Sequence, residues 1–125
     1  MSYKFDSSTP LYLQIATAIE EDIFLGIFKE DEQIPSSNQF SATYHLNPAT
    51  VLKGYNLLVD DYLIEKRRGM GMFVKHGAKA KIRAKRSKEF VSNYISPLLK
   101  EARKLGLSKD EIIAMINGEE NETKC

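Results

Sequence analysis

The sequence predicts a mainly α chain with one small β-hairpin and a short helical appendage at its C-terminal end. Three observations predict this. Two helix starts, Ser36-Ser37-Asn38-Gln39 and Asn47-Pro48, follow each other closely. A Gly69-Met70-Gly71 turn separates two β-prone runs, 63–68 and 72–75. An apolar stripe at helical spacing then runs from Phe90 to Leu105.

Taken in order, Thr9-Pro10 reads as a helix start, with Thr9 as cap and Pro10 at the first helical position, where its missing N–H costs nothing. Leu11, Ile15, Ala18, Ile19, Ile23 and Phe24 form its apolar face, and Gly26 ends it. Ile34-Pro35 is expected to be extended, because the residue before proline avoids helical backbone. Ser36 and Gln39 fit a capping box that opens a short helix burying Phe40 and Ala42 or Tyr44 and ending near His45. Asn47 caps the next helix, with Pro48 in its first turn and Val51, Tyr55, Leu58 and Val59 on its buried face. Two short helices with a tight connection form a helix-turn-helix, whose second helix puts its N-terminal residues into the major groove of DNA. A basic hairpin directly after it, from Leu63 to Lys75, is a wing.

Residues 76–88 are either a linker or the first turns of a helix. In the stripe that follows, Phe90, Val91, Tyr94, Ile95, Leu98, Leu99, Ala102 and Leu105 share one helical face. Pro97 predicts a kink, or a restart with Ser96 as cap. Ser108 and Glu111 fit another capping box, opening a helix that buries Ile112, Ile113 and Ile116 and ends at Asn117-Gly118. These readings divide the chain into a winged domain at 9–77, a helical region at 78–118 and a flexible tail at 119–125.

Composition supports this scale. A chain of 125 residues, 42% of them hydrophobic, suits one domain plus an appendage. The net charge of +1 hides an asymmetry: residues 1–61 sum to −6, residues 62–88 to +9 and residues 89–125 to −2. The +9 segment is either a polyanion contact or a solvated linker. Cys125 is the single cysteine, no run is long and apolar enough to span a membrane, and no apolar leader opens the chain, so a cytoplasmic setting is expected. His45 and His76 have no ligand cluster in register, so no metal or other cofactor is expected, and no nucleophile–base pairing points to an enzyme.

The runs Thr9-Pro10-Leu11-Tyr12-Leu13-Gln14-Ile15, Ile34-Pro35-Ser36-Ser37, Asn47-Pro48-Ala49-Thr50-Val51 and Gly69-Met70-Gly71-Met72-Phe73-Val74 resemble the GntR family of bacterial regulators. The short C-terminal part, with Phe90-Val91 and Leu105-Gly106-Leu107-Ser108, is similar to the YtrA subfamily. The resemblance implies a transcription regulator of the repressor type that binds double-stranded DNA as a homodimer, commonly at a transporter operon. It implies dimerisation through two C-terminal helices and no large effector domain. Three positions depart from the family's pattern: Asn38 stands where an arginine that touches DNA is usual, Tyr62 where a glycine is usual, and Met72 where a small or β-branched residue is usual.

The expected DNA contacts are Ser36, Ser37 and Asn38 at the first capping box; Asn47, Pro48, Ala49, Thr50 and Lys53 on the second helix; and Lys66, Arg67, Arg68, Gly69 and Met70 on the wing. Helix N-termini favour phosphate, and Thr and Lys can reach phosphate or base edges. Asn47 is first of all a cap. The expected dimer interface is Phe90, Val91, Tyr94, Ile95, Leu98, Leu99, Ala102, Leu105, Ile112 and Ile116. Two rival readings are a winged protein-interaction module and a sensor holding a small molecule between the C-terminal helices. The identity of any effector is not legible in the residues.

Overall fold

The computed structural model describes residues 3–123, with side chains described through Glu119. Its elements are α1 (Leu11–Phe24), β1 (Gln33–Ile34), α2 (Ser37–Tyr44), α3 (Pro48–Asp60), β2 (Ile64–Arg67), β3 (Gly71–Val74), α4 (Ala78–Phe90), a π-helical turn (Val91–Ile95), α5 (Ser96–Leu105) and α6 (Lys109–Thr123). The chain divides into two compact units between Ala84 and Lys85, inside α4 rather than at residues 77 and 78.

In the first unit, α1, α2 and α3 pack beside a three-stranded antiparallel sheet in the order β1-β3-β2. The hairpin is therefore extended by Gln33 and Ile34, which pair with Phe73 and Met72. β2 and β3 pair Ile64 with Val74 and Arg67 with Gly71. The core gathers Ile15, Ile19, Ile23, Phe40, Val51, Tyr55, Leu58, Ile64 and Val74. Ala78 and Ile82 of α4 also belong to it, so the first turns of that basic segment are packed helix and not linker.

Three local readings of this unit change. Thr9 does not cap α1; Pro10 holds the cap position and no side chain caps it. Gln14 instead bonds the irregular segment that enters the helix, accepting from Asp6 N and donating to the carbonyls of Asp6 and Thr9. On α2, Ala42 is exposed, while Phe40 and Ser41 are buried and Tyr44 packs against the core. On α3, Val59 is exposed and Gly54 is buried in its stead. A Cβ at Gly54 would lie 2.8 Å from the Tyr12 carbonyl oxygen, so α1 and α3 touch backbone to side there, and only glycine fits.

In the second unit the backbone around Pro97 runs as a π-turn followed by α5. The Ser96 N–H reaches back to Val91 O, and Ser96 makes no cap. The wider register accommodates a proline that lacks an N–H and whose ring crowds the preceding turn. Gly106, at φ 71°, closes α5 in the left-handed conformation that favours glycine. The capping box opening α6 is present: Ser108 N donates to Glu111 Oε1 at 3.2 Å, and Glu111 N donates to Ser108 Oγ at 3.1 Å. Ile112 is half-buried, but Ile113 and Ile116 are exposed. The helix does not stop at Asn117-Gly118; it continues through Thr123, so the tail expected at 119–125 is helical to that point, and Lys124 and Cys125 lie outside the described residues. One interior glycine costs only about 1 kcal/mol, which does not by itself end a helix.

Candidate nucleic-acid interface

The capping residues of α2 and α3 set the start of both helices. Ser36 Oγ accepts from Gln39 N at 3.0 Å while Ser36 N donates to Gln39 Oε1 at 2.9 Å. Asn47 Oδ1 accepts from Ala49 N at 2.8 Å, so its side chain is engaged as the cap of α3. Between them, His45 ends α2 with φ 55°, and Leu46 N closes the turn onto Ser41 O. The Tyr55 hydroxyl donates to Pro35 O at 2.6 Å, tying α3 to the entry of α2. Burial pushes the Tyr55 pKa up, which keeps that hydroxyl protonated.

An aromatic cluster braces the same helices from the N-terminal side. Tyr3 lies near Phe40 and Tyr44, with ring centroids 5.5 and 5.3 Å away, and its hydroxyl bonds the buried Asp22 carboxylate of α1. Burial and that bond both push the Tyr3 pKa up. Tyr3, Phe5 and Tyr44 thus serve packing.

With Val51, Gly54, Tyr55 and Leu58 inward, α3 turns Ala49, Leu52, Lys53 and Asn56 outward, and Thr50 is half-buried at the margin. Lys53 Nζ sits 4.0 Å from the Tyr12 ring centroid, drawn toward α1 by a cation–π contact. Leu52 and Asn56 went unnoticed in the sequence reading. Completing the heptad face opposite Val51 and Tyr55 would have found them. At α2, Ser36 and Ser37 are half-buried and Asn38 is exposed. Pro48 is exposed in the first turn of α3.

The wing separates its three cations by role. Lys66 and Arg68 are exposed and make no ion pair among the described residues. Arg67 is half-buried, donating to Asp31 at 2.9 Å and Glu65 at 3.3 Å, with its guanidinium 4.3 Å from the Phe73 ring centroid. Its charge is already met by carboxylates, so it holds the hairpin to the turn before β1. At the tip, Met70 N bonds Arg67 O at 2.9 Å, and Met70 O accepts from Gln33 Nε2 at 2.8 Å. Gly71 has φ 114°, a backbone conformation that favours glycine, and Gln33 Nε2 lies 2.6 Å from where its Cβ would be, so a side chain there would also push aside the Gln33 amide that bonds Met70 O. Gly69 also takes a positive φ, and Met70 stands exposed between the two.

The +9 segment is likewise not uniformly free charge. Lys75 and Lys81 place their ammonium groups 5.4 and 4.8 Å from the centroid of the Tyr62 ring. Tyr62 itself has φ 60°, which accounts for a glycine being usual at that place. Glu30 accepts from the N–H groups of Gly77 and Lys79 and caps α4 from far away in sequence. His76 Nδ1 lies 3.6 Å from both Glu30 and Asp31. Among the described residues no group of three or more His, Cys, Asp or Glu is placed to hold a metal, and no helix is long and apolar enough to cross a membrane.

Of the ten residues expected at a dimer interface, Ala102 is buried inside its own unit, and Leu99 and Ile112 are half-buried. Phe90, Val91, Tyr94, Ile95, Leu98, Leu105 and Ile116 are exposed, between 36% and 66%. Leu98, Ala102, Leu105, Ile112, Met115 and Ile116 line an open apolar groove between α5 and α6.

Comparison with known proteins identifies this architecture. Residues 11–74 match the family model for bacterial regulatory proteins of the gntR family. The chain is similar to the helix-turn-helix-type transcriptional regulator YhcF of Bacillus subtilis, itself uncharacterized, at 28% identity across 90% of this chain and 92% of that one. It is 37% identical to the transcriptional repressor YtrA of Bacillus subtilis over 73 residues, which are 58% of this chain and 56% of that one. A solved GntR-family structure from Bacteroides thetaiotaomicron superposes with a TM-score of 0.77 at 32% identity, covering 91% of this chain and 99% of that one. The winged helix-turn-helix, its matched 11–74 span and these relatives place the chain in the GntR family of bacterial regulatory proteins, DNA-binding transcription regulators rather than enzymes.

Proposed function

We propose that the chain is a cytoplasmic homodimeric repressor that binds a palindromic operator, with the winged unit up to Ala84 as reading head and the helices from Lys85 onward as dimerisation region. The observation that carries the finer reading is the apolar face of the second unit, where Phe90, Val91, Tyr94 and Leu105 are each more than half exposed. Monomeric proteins seldom leave so continuous an apolar surface in water. A twofold pairing of the helices that carry it buries that surface and presents two copies of α3 to two half-sites about one helical turn of DNA apart. In each half-site α3 enters the major groove, while Lys66 and Arg68 of the wing meet the adjacent phosphates. Control of a transporter operon follows the resemblance to the YtrA subfamily.

Sedimentation velocity at micromolar concentration tests the assembly: a particle of twice 14.2 kDa is expected, and a monomer overturns it. Selection from a random duplex pool tests the operator, which should be an inverted repeat bound less tightly as salt rises.

A further inference from the structure

The outward face of α3 carries an aliphatic side chain where a polar reader is expected. Leu52 is 50% exposed and lies one turn after Ala49 and one turn before Asn56. An exposed leucine is ordinary in itself. This one stands midway along the outward face of α3, the second helix of the helix-turn-helix, which in that motif enters the major groove. Its cationic neighbour, Lys53, rests on Tyr12 of α1. The forward part of the outward face therefore carries methyl groups, from Ala49 and Leu52, with Thr50 half-buried at its margin.

The major groove presents donors and acceptors at every base pair, and one apolar group, the C5-methyl of thymine. A leucine pressed against a guanine or cytosine edge strips water from polar atoms and returns no hydrogen bond. Pressed against thymine it buries one methyl group on another. We propose that Leu52, with Ala49 beside it, is a specificity-determining residue that reads a thymine methyl in each half-site. The inference rests on the operator-binding reading above and deepens it: α3 selects by apolar contact, while the wing supplies charge without sequence information.

The test uses the full chain and the duplex that it enriches from a random pool. Each thymine of the half-site is replaced in turn by deoxyuridine, which removes the methyl and leaves the pairing edge intact. At one or two positions affinity, read by fluorescence anisotropy, should fall about fourfold, the worth of one buried methyl group. Leu52→Ala should remove that sensitivity at the same positions and leave it unchanged elsewhere. Leu52→Arg, selected afresh, should replace that thymine by guanine. The deoxyuridine scan on the unaltered protein stands whether or not either variant folds. An enriched sequence whose affinity is indifferent to every thymine methyl, or a loss that persists in a folded Leu52→Ala, overturns this inference alone. Failure to enrich any sequence overturns the operator-binding reading and takes the inference with it.

Discussion

The two units treat their apolar residues in opposite ways. In the first, Ile15, Ile19, Ile23, Val51, Tyr55, Leu58, Ile64 and Val74 are all at most 2% exposed, and three helices and a sheet close on them. In the second, Ala102 alone among the described side chains is buried, while a stripe of aromatic and aliphatic groups faces outward. Both have an amphipathic helical pattern in sequence. Periodicity says that a face will be covered; it does not say whether the cover comes from the same chain. The first unit should therefore owe its stability to its own core, and the second to association.

The largest expected effect breaks the first half of that contrast. Tyr55→Ala removes a buried ring and its bond to Pro35 O, and should lower unfolding stability by about 3–5 kcal/mol, measured by urea denaturation. The same contact can be weakened without mutation. Tyr55 and Tyr3 hold their protons more tightly in the folded state than the ordinary value of 10.0. Their contribution is thus fully present below pH 10 and is lost as pH rises beyond it, because the unfolded chain releases those protons first. Melting temperature should fall in the alkaline range, and Tyr55→Phe should flatten part of that fall.

Leu98→Glu breaks the second half. A carboxylate in the apolar stripe should raise the dissociation constant of the proposed dimer by at least about thirtyfold, or about 2 kcal/mol. Leu98 is 41% exposed within its chain, so denaturation of the first unit should move by less than about 0.5 kcal/mol. Sedimentation and urea melts on one variant separate the two. Equal damage in both would show that the stripe belongs to a core and not to an interface.

What the sequence revealed was local. Both capping boxes and the Asn47 cap depend on residues within three positions of each other, and the structure forms all three. What it concealed was contact between distant segments. The reason for Gly54 is the Tyr12 carbonyl on another helix, which nothing in its neighbouring residues announces. Strand β1 is two residues long, too short for alternation, and exists by pairing with β3. Arg67 reads as one of three wing cations until Asp31 and Glu65 are seen beside it. The cap of α4 comes from Glu30, which no scan of neighbouring residues finds. Leu52 and Asn56 were visible as a heptad face, but a search for donors and cations passes over a leucine.

The smallest expected effect sharpens the comparison from the stabilising side. His45 closes α2 in the left-handed conformation, φ 55° and ψ 47°, and its side chain is exposed. A residue with a Cβ pays about 1–2 kcal/mol for that backbone, and glycine does not, although its freer unfolded chain returns part of the gain. His45→Gly should therefore stabilise the first unit by about 1 kcal/mol, read as a rise in the urea midpoint at unchanged slope. The turn lies between α2 and α3, far in sequence from the apolar stripe, so the dimer dissociation constant should stay where it was. A variant that raises the midpoint and tightens association together would mean that the two units share one folding equilibrium, and the division at Ala84 would then describe geometry without describing energetics.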